Sequence, residues 1–271
     1  MSDAEATAIN PKSRRPAPAR VRAELGGRAV DRTRLIYSLG AVGLGIVGFV
    51  VGDFALQWQP VPKGVLAREV LAYVSAALLV AGGLAAIWSR TAAWGALALG
   101  VMFSVWVIVL HVPNALANRP NDIGSWNAVA ELSALALAGL VGWGAVHRPG
   151  LAERGVRLFG LCPVIFALAH FGYAKFTASM VPGWLPAPLF WAYFTGVCHL
   201  AGGLALIAGV VPRLAATGLA AMYATFALIL HLPRVIAAPG ERIEWTMLFI
   251  AMSLAGAAWI VRSSAGRAAH A

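Results

Sequence analysis

Eight apolar runs, separated by short polar, proline- or glycine-bearing stretches, organise the chain from residue 35 onward. Each is long enough, at roughly 20 residues, to cross a bilayer as a helix, and none has the two-residue alternation of a strand. The pattern predicts spans over 35–57, 69–89, 93–113, 126–146, 158–180, 188–211, 215–233 and 244–262. This is an all-α membrane protein of about eight transmembrane helices, with a basic tail over 1–34 and a short tail over 263–271.

A second regularity lies on top of the first. Residues 52–111 written over 172–231 without a gap share 17 identities in 60 positions, including Gly52 with Gly172, Val61-Pro62 with Val181-Pro182, Tyr73 with Tyr193 and His111 with His231. The run Ala81-Gly82-Gly83-Leu84-Ala85 matches residues 201–205 in the same register, and Trp126 and Trp245 extend the match at an offset of 119. Bias toward Ala, Leu and Gly explains part of this, but not His, Tyr and Pro in one register. Two four-helix repeats, 35–150 and 151–262, are expected. An even number of spans per repeat inserts both with the same polarity, so a pseudo-two-fold axis along the membrane normal follows. The paired glycines over 82–83 and 202–203, and Gly48 with Gly52, are read as sites of close helix approach.

Composition narrows the class. The 271 residues are 60% hydrophobic and 12% charged, with a mean hydropathy of +0.75, which excludes an ordinary soluble domain. The net charge of +10 is concentrated in the first 34 residues and in short loops. That placement argues for the positive-inside rule and against nucleic-acid binding. With the N-terminus inside, 15 of the 21 Lys and Arg fall on the inner side and five in outer loops, which places both termini in the cytoplasm and the protein in a bacterial-type inner membrane. The apolar run after the tail is too long for a cleaved signal. Most tryptophans, Trp58 and Trp126 among them, fall at span ends and read as interfacial belts. Cys162 and Cys198 differ in depth by about 13 Å at the rise of a helix, too far for a disulfide, and read as packing residues.

Ionisable groups in hydrocarbon cost about 2.5–3.5 kcal/mol each on insertion scales, so each is a candidate for function. Here they are Asp53, Glu131, His170, Lys175 and His199, with His111 and His231 near the outer boundary. Asp53 and Lys175 sit at nearly equivalent places in the two repeats, with opposite charge. They are expected either to pair between the first and fifth helices or to form an anion or quinone-carbonyl site with Lys175 as donor. His170 and His199, with Tyr173 one turn away, have the make-up of a quinone-ring lining, although an interhelical hydrogen bond is the commoner role of such residues. His170, Lys175 and Glu131 are the candidates for proton transfer. His111 and His231 each precede a proline by two residues. Together they could ligate a haem iron or another metal, but helix-end histidines more often bond loop carbonyls, so no metal site is assigned. No nucleophile-base pair, zinc-binding His-Glu motif or phosphate-binding glycine loop is present.

The stretch His170-Phe171-Gly172-Tyr173-Ala174-Lys175-Phe176, followed by Met180-Val181-Pro182-Gly183-Trp184-Leu185-Pro186 and Tyr193-Phe194-Thr195-Gly196, resembles the DoxX/DoxD-like membrane proteins. Those are four-helix units with a Gly-x-x-Lys element on the first helix and a glycine-rich second helix. The resemblance is clearest over 158–262 and weaker over 35–146, as in a tandem duplication. Two positions depart from it: Ala55 stands where the second copy has Lys175, and His199 stands where an acidic residue is expected. The resemblance implies a membrane component of a redox system, with quinone as cofactor and a redox partner protein supplying electrons. A carrier or binding protein for a small hydrophobic or anionic molecule is the alternative reading, and a non-catalytic membrane scaffold the third.

Overall fold

The computed structural model describes residues 31–118 and 120–265, and the basic residues up to Arg28, Arg119 and the C-terminal residues 266–271 lie outside them. Every regular element among the described residues is helical. In chain order these are α1 (Leu35–Val51), α2 (Arg68–Ile87), α3 (Ala92–Ala117), α4 (Ile123–His147), α5 (Pro149–Gly172), α6 (Ala174–Met180), α7 (Pro188–Ala208), α8 (Pro212–Ala237) and α9 (Arg242–Ser264). Seven of them, all but α1 and α6, are long and apolar enough to cross a membrane. The first is a shorter apolar helix of 17 residues.

Packing ranks these helices. In α4 and α9, 61% and 67% of the most apolar stretch is buried inside the protein, against 28% to 44% in the other five long helices. These two are therefore the centre and the others form the wall. Outward faces carry large apolar side chains such as Ile108, Phe176 and Leu214, each at least 66% exposed. Such a surface would drive aggregation in water and is matched to lipid. Since lipid tails are as apolar as leucine, the helices gain contact through small residues that let backbones approach. A Cβ at Gly256 of α9 would lie 2.1 Å from the Tyr37 backbone nitrogen of α1, and one at Gly139 of α4 would lie 2.6 Å from the Gly100 Cα of α3. The paired glycines behave likewise: Gly83 faces Val42, and Gly203 faces Gly160 and Val164. The Tyr37 hydroxyl crosses to the Leu135 carbonyl of α4 at 2.9 Å. Thus α1 packs onto α9 across the molecule, and α5 onto α4, where Gly155 faces Val141.

Corresponding elements begin at similar offsets. Helices α2 and α7 start 120 residues apart, each after an alanine of positive φ, Ala67 (φ 53°) and Ala187 (φ 56°). Helices α3 and α8 also start 120 residues apart, and each carries a π-helical turn, Val107–His111 or Phe226–His231. Pro113 and Pro233 stand two residues beyond these turns. A proline has no N–H to give the fourth residue before it and crowds that carbonyl, and the wider turn accommodates both faults. Trp126 and Trp245 each donate an indole N–H to a proline carbonyl six residues earlier, Pro120 at 2.8 Å and Pro239 at 2.9 Å.

The largest departure from the expected spans follows α1. In place of a helix through residue 57, the chain leaves at Gly52, whose φ of +67° is open to glycine and strained for other residues. The next segment folds inward, with Phe54, Ala55, Trp58 and Gln59 buried. Gln59 secures it by donating to Ser75 Oγ at 2.6 Å and accepting from the Ala55 N–H at 2.8 Å. Trp58 is therefore a core residue and not part of an interfacial belt. Trp88, Trp94 and Trp184 are exposed, as span-end tryptophans should be. The expected span over 158–180 is divided between α5 and α6, α5 beginning earlier, at Pro149. The last residues of the basic tail expected over 1–34 are fixed in the fold: Arg34 is buried, paired with Asp31, and donates to the Gly142 carbonyl at 2.6 Å.

Candidate functional site

A cavity of about 1390 Å3 opens between α4 and the helices α5 to α9, with Trp58 from the inward segment completing its wall. Most of its lining is apolar, from Phe166 and Leu185 to Met222, Phe226 and Leu254. Against that background stand Asn127 and Glu131 of α4, His170 of α5, His199 of α7, and Tyr223 and His231 of α8. A large apolar space with a few convergent polar groups is the usual form of a small-molecule site.

Glu131 is held from two sides. Its Oε2 accepts the Trp58 indole N–H at 2.6 Å and its Oε1 accepts the Asn127 amide at 3.1 Å. The sequence marks Glu131 as a candidate but not these partners. Asn127 precedes it by one helical turn, which is a readable spacing; Trp58 is 73 residues away.

His170 and His199 come together, their ring centroids 4.6 Å apart. Around His199 lie Tyr223 at 5.5 Å, Phe166 at 5.6 Å and Phe226 at 6.2 Å. The hydrogen bonds of the two imidazoles have the same form. His170 Nδ1 is 2.8 Å from the Phe166 carbonyl and His199 Nδ1 is 2.9 Å from the Thr195 carbonyl, each four residues back on its own helix. A carbonyl oxygen only accepts, so Nδ1 carries the proton in both rings, and Nε2 of the neutral imidazole is an acceptor. This changes the chemistry expected of the pair. The N–H groups that would bond a quinone carbonyl are engaged by the helix backbone.

Two polar atoms at this wall have no hydrogen-bond partner, the Tyr223 hydroxyl and His231 Nδ1, although their residues are only 2% and 7% exposed. An unpaired buried polar group costs about 1–3 kcal/mol, and both residues line the cavity, where a ligand can reach them. The equivalent histidine in the first half is satisfied: His111 Nε2 donates to the Trp58 carbonyl at 3.0 Å.

The remaining candidates lie apart. Asp53 does not meet Lys175. It is ion-paired with Arg68 at the start of α2 and lies 3.3 Å from the Arg242 guanidinium at the start of α9. Burial works against its charge, but the Phe54 N–H, Arg68 and Arg242 together hold the carboxyl below the usual range. Asp53 thus pins α2 and α9 to the end of α1. Lys175 is exposed, outside the cavity lining, and has no ion-pair partner among the described residues. Tyr173 borders the cavity, exposed, with its hydroxyl on Asp122. Of the two helix-end histidines, His111 is bonded through Nε2 to the Trp58 carbonyl, whereas His231 lines the cavity. No group of three or more His, Cys, Asp or Glu able to hold a metal ion occurs among the described residues, and Cys162 and Cys198 are free thiols.

These features define a class: a polytopic, all-helical membrane protein with a ligand-sized cavity on one side of its centre. Residues 157–232 match the family model named DoxX, so this stretch is similar to that family. The match runs from within α5 into α8, ending at residue 232, and takes in His170, His199, Tyr223 and His231. No curated protein and no solved structure matches the chain.

Proposed function

We propose that the protein binds a small, largely apolar aromatic molecule of the quinone class in the cavity of its second half, as the membrane component of a redox system whose electrons come from a partner protein. The observation that carries the reading is the polar wall, where the unpartnered Tyr223 hydroxyl and His231 Nδ1 stand with Glu131, His170 and His199 in an otherwise apolar cavity. A polar-headed aromatic molecule supplies partners for the wall and apolar surface for the rest. The proton-handling roles fall to Glu131 and His170, and Lys175 is left for contact with the bilayer surface or the partner.

On this reading the chain is a tandem duplication with both termini in the cytoplasm and one working copy. The shared offsets of α2 with α7 and α3 with α8, the two π-turns and the two tryptophan–proline bonds support the duplication. The test is to purify the protein gently from its own membranes and analyse the retained small molecules by mass spectrometry. A quinone or related aromatic at about one per chain, reduced in Tyr223→Phe, is expected. Phospholipid alone would overturn the assignment.

A further inference from the structure

The polar wall is unbalanced in a way that identifies its ligand more closely. A quinone presents only acceptors, so its carbonyls need donors from the protein. His170 and His199 cannot serve while neutral, since each Nδ1–H is bonded to a helix carbonyl. As a carboxylate Glu131 receives the Trp58 and Asn127 N–H groups, one on each oxygen, and in that form has only further lone pairs to offer. The wall therefore offers two Nε2 acceptors and a carboxylate, with no hydrogen bond to either Nε2 among the described residues, against two unpartnered groups able to donate, the Tyr223 hydroxyl and His231 Nδ1. Among the described residues Tyr223 carries the one fully buried side-chain hydroxyl without a partner. A surplus of buried acceptors is satisfied by a ligand that donates.

We propose that the cavity selects a phenol: an aromatic ring whose O–H donates to Nε2 of His199 and whose oxygen accepts from the Tyr223 hydroxyl. The ring class follows from the neighbours, because Phe166, Tyr223 and Phe226 all lie within 6.2 Å of the His199 ring and offer edge and face contacts to another aromatic. The proposal rests on the cavity reading above and sharpens it. Within a quinone couple, the form held at this wall is the hydroxylated, reduced one.

The test uses three probes that differ only at the polar group: 4-heptylphenol, its methyl ether and heptyl-1,4-benzoquinone. Each is titrated into the full chain in nanodiscs at matched mole fraction in the lipid, with binding followed by a displaceable fluorescent phenol. The phenol is expected to bind about tenfold tighter than either of the others, the effect of one hydrogen bond gained or missed in a buried site. His199→Leu should bring that ratio close to one. Equal binding of all three probes by the wild type would overturn the phenol assignment while leaving the cavity as an apolar ligand site. Failure of all three to bind would overturn both readings. Nitrogen-15 NMR of histidine-labelled wild type needs no variant. The phenol should shift an Nε2 resonance while Nδ1 stays protonated in both rings, and an Nδ1 acceptor in either ring would contradict the mechanism.

Discussion

Read at an offset of 120 residues, the two halves of the bundle share helices and differ in what fills them. Where the second half has His199, Tyr223 and Phe226, the first has Leu79, Phe103 and Trp106. In the first half the space is closed: Tyr37, Leu79 and Phe103 are at most 2% exposed, and Tyr37 and Trp106 pack edge-on against Phe103. In the second half the corresponding region is the cavity, and its polar side chains include two with unpartnered atoms. The chain after the first helix makes much of the difference. At Gly52 it turns inward and buries Trp58, whereas at the matching Gly172 it continues through Tyr173 into α6. The comparison teaches that helices at a shared offset can pack shut or leave a cavity, according to how the connecting segment is folded between them. Trp58 belongs to both halves, since its carbonyl satisfies His111 and its indole holds Glu131 at the cavity.

The largest effect should come from breaking the seam between the halves. Gly256→Ala places a methyl group about where the Tyr37 backbone nitrogen already lies, and overpacking of this kind should cost about 3 kcal/mol or more. The expected outcome is loss of monodisperse protein on size exclusion in detergent. Next is Trp58→Phe, which keeps the ring packing but removes a donor from Glu131 and should cost about 1–3 kcal/mol in thermal unfolding. A smaller effect is expected at the Asp53 cluster, which is partly exposed and ties the first half to α9. Asp53→Asn should cost about 0.5–1 kcal/mol at neutral pH. The folded-state pKa of Asp53 is depressed, so its contribution is present above the unfolded value near 4 and is lost as pH falls through the folded value. The stability gap between wild type and Asp53→Asn should thus be constant above about pH 5 and close in acid. The smallest change in stability belongs to His199→Leu, which installs the first-half residue in the second half. Unfolding should move by less than about 0.5 kcal/mol, because an apolar residue removes a buried acceptor without leaving a charge, while the preference for phenol over its methyl ether is lost.

Much of this was legible before any coordinates. Length and apolarity of the runs predict a membrane bundle; the His170 and His199 rings lie 4.6 Å apart, but neither makes the interhelical hydrogen bond expected of them, each bonding a carbonyl of its own helix. The failures share one cause. Gly52 and Gly172 occupy matching positions, and nothing local to either glycine tells which will adopt a left-handed conformation. The signal lies downstream, where Asp53, Gln57, Gln59 and Pro60 make a poor helix and Tyr173 to Met180 a good one. Without that break, Trp58 reads as an interfacial residue and Asp53 as a neighbour of Lys175. Once the segment turns inward, Trp58 reaches Glu131 and Asp53 meets Arg68 and Arg242. The open half was also hidden, because a cavity is a property of the packing of six helices and not of the pattern along any one of them. Hydrogen-bond direction at the histidines was beyond the sequence for the same reason: it depends on which ring nitrogen meets the carbonyl one turn back.

The central claim is that the second half, and not the first, holds the ligand. It is tested most directly by photolabelling the full chain in nanodiscs with an azido-substituted alkylphenol and mapping the modified peptides. The account predicts labels on α7 and α8, around His199 and Tyr223, that are competed by unlabelled phenol and weakened in Tyr223→Phe. Competable labelling of α2 and α3, around Leu79 and Phe103, would contradict it.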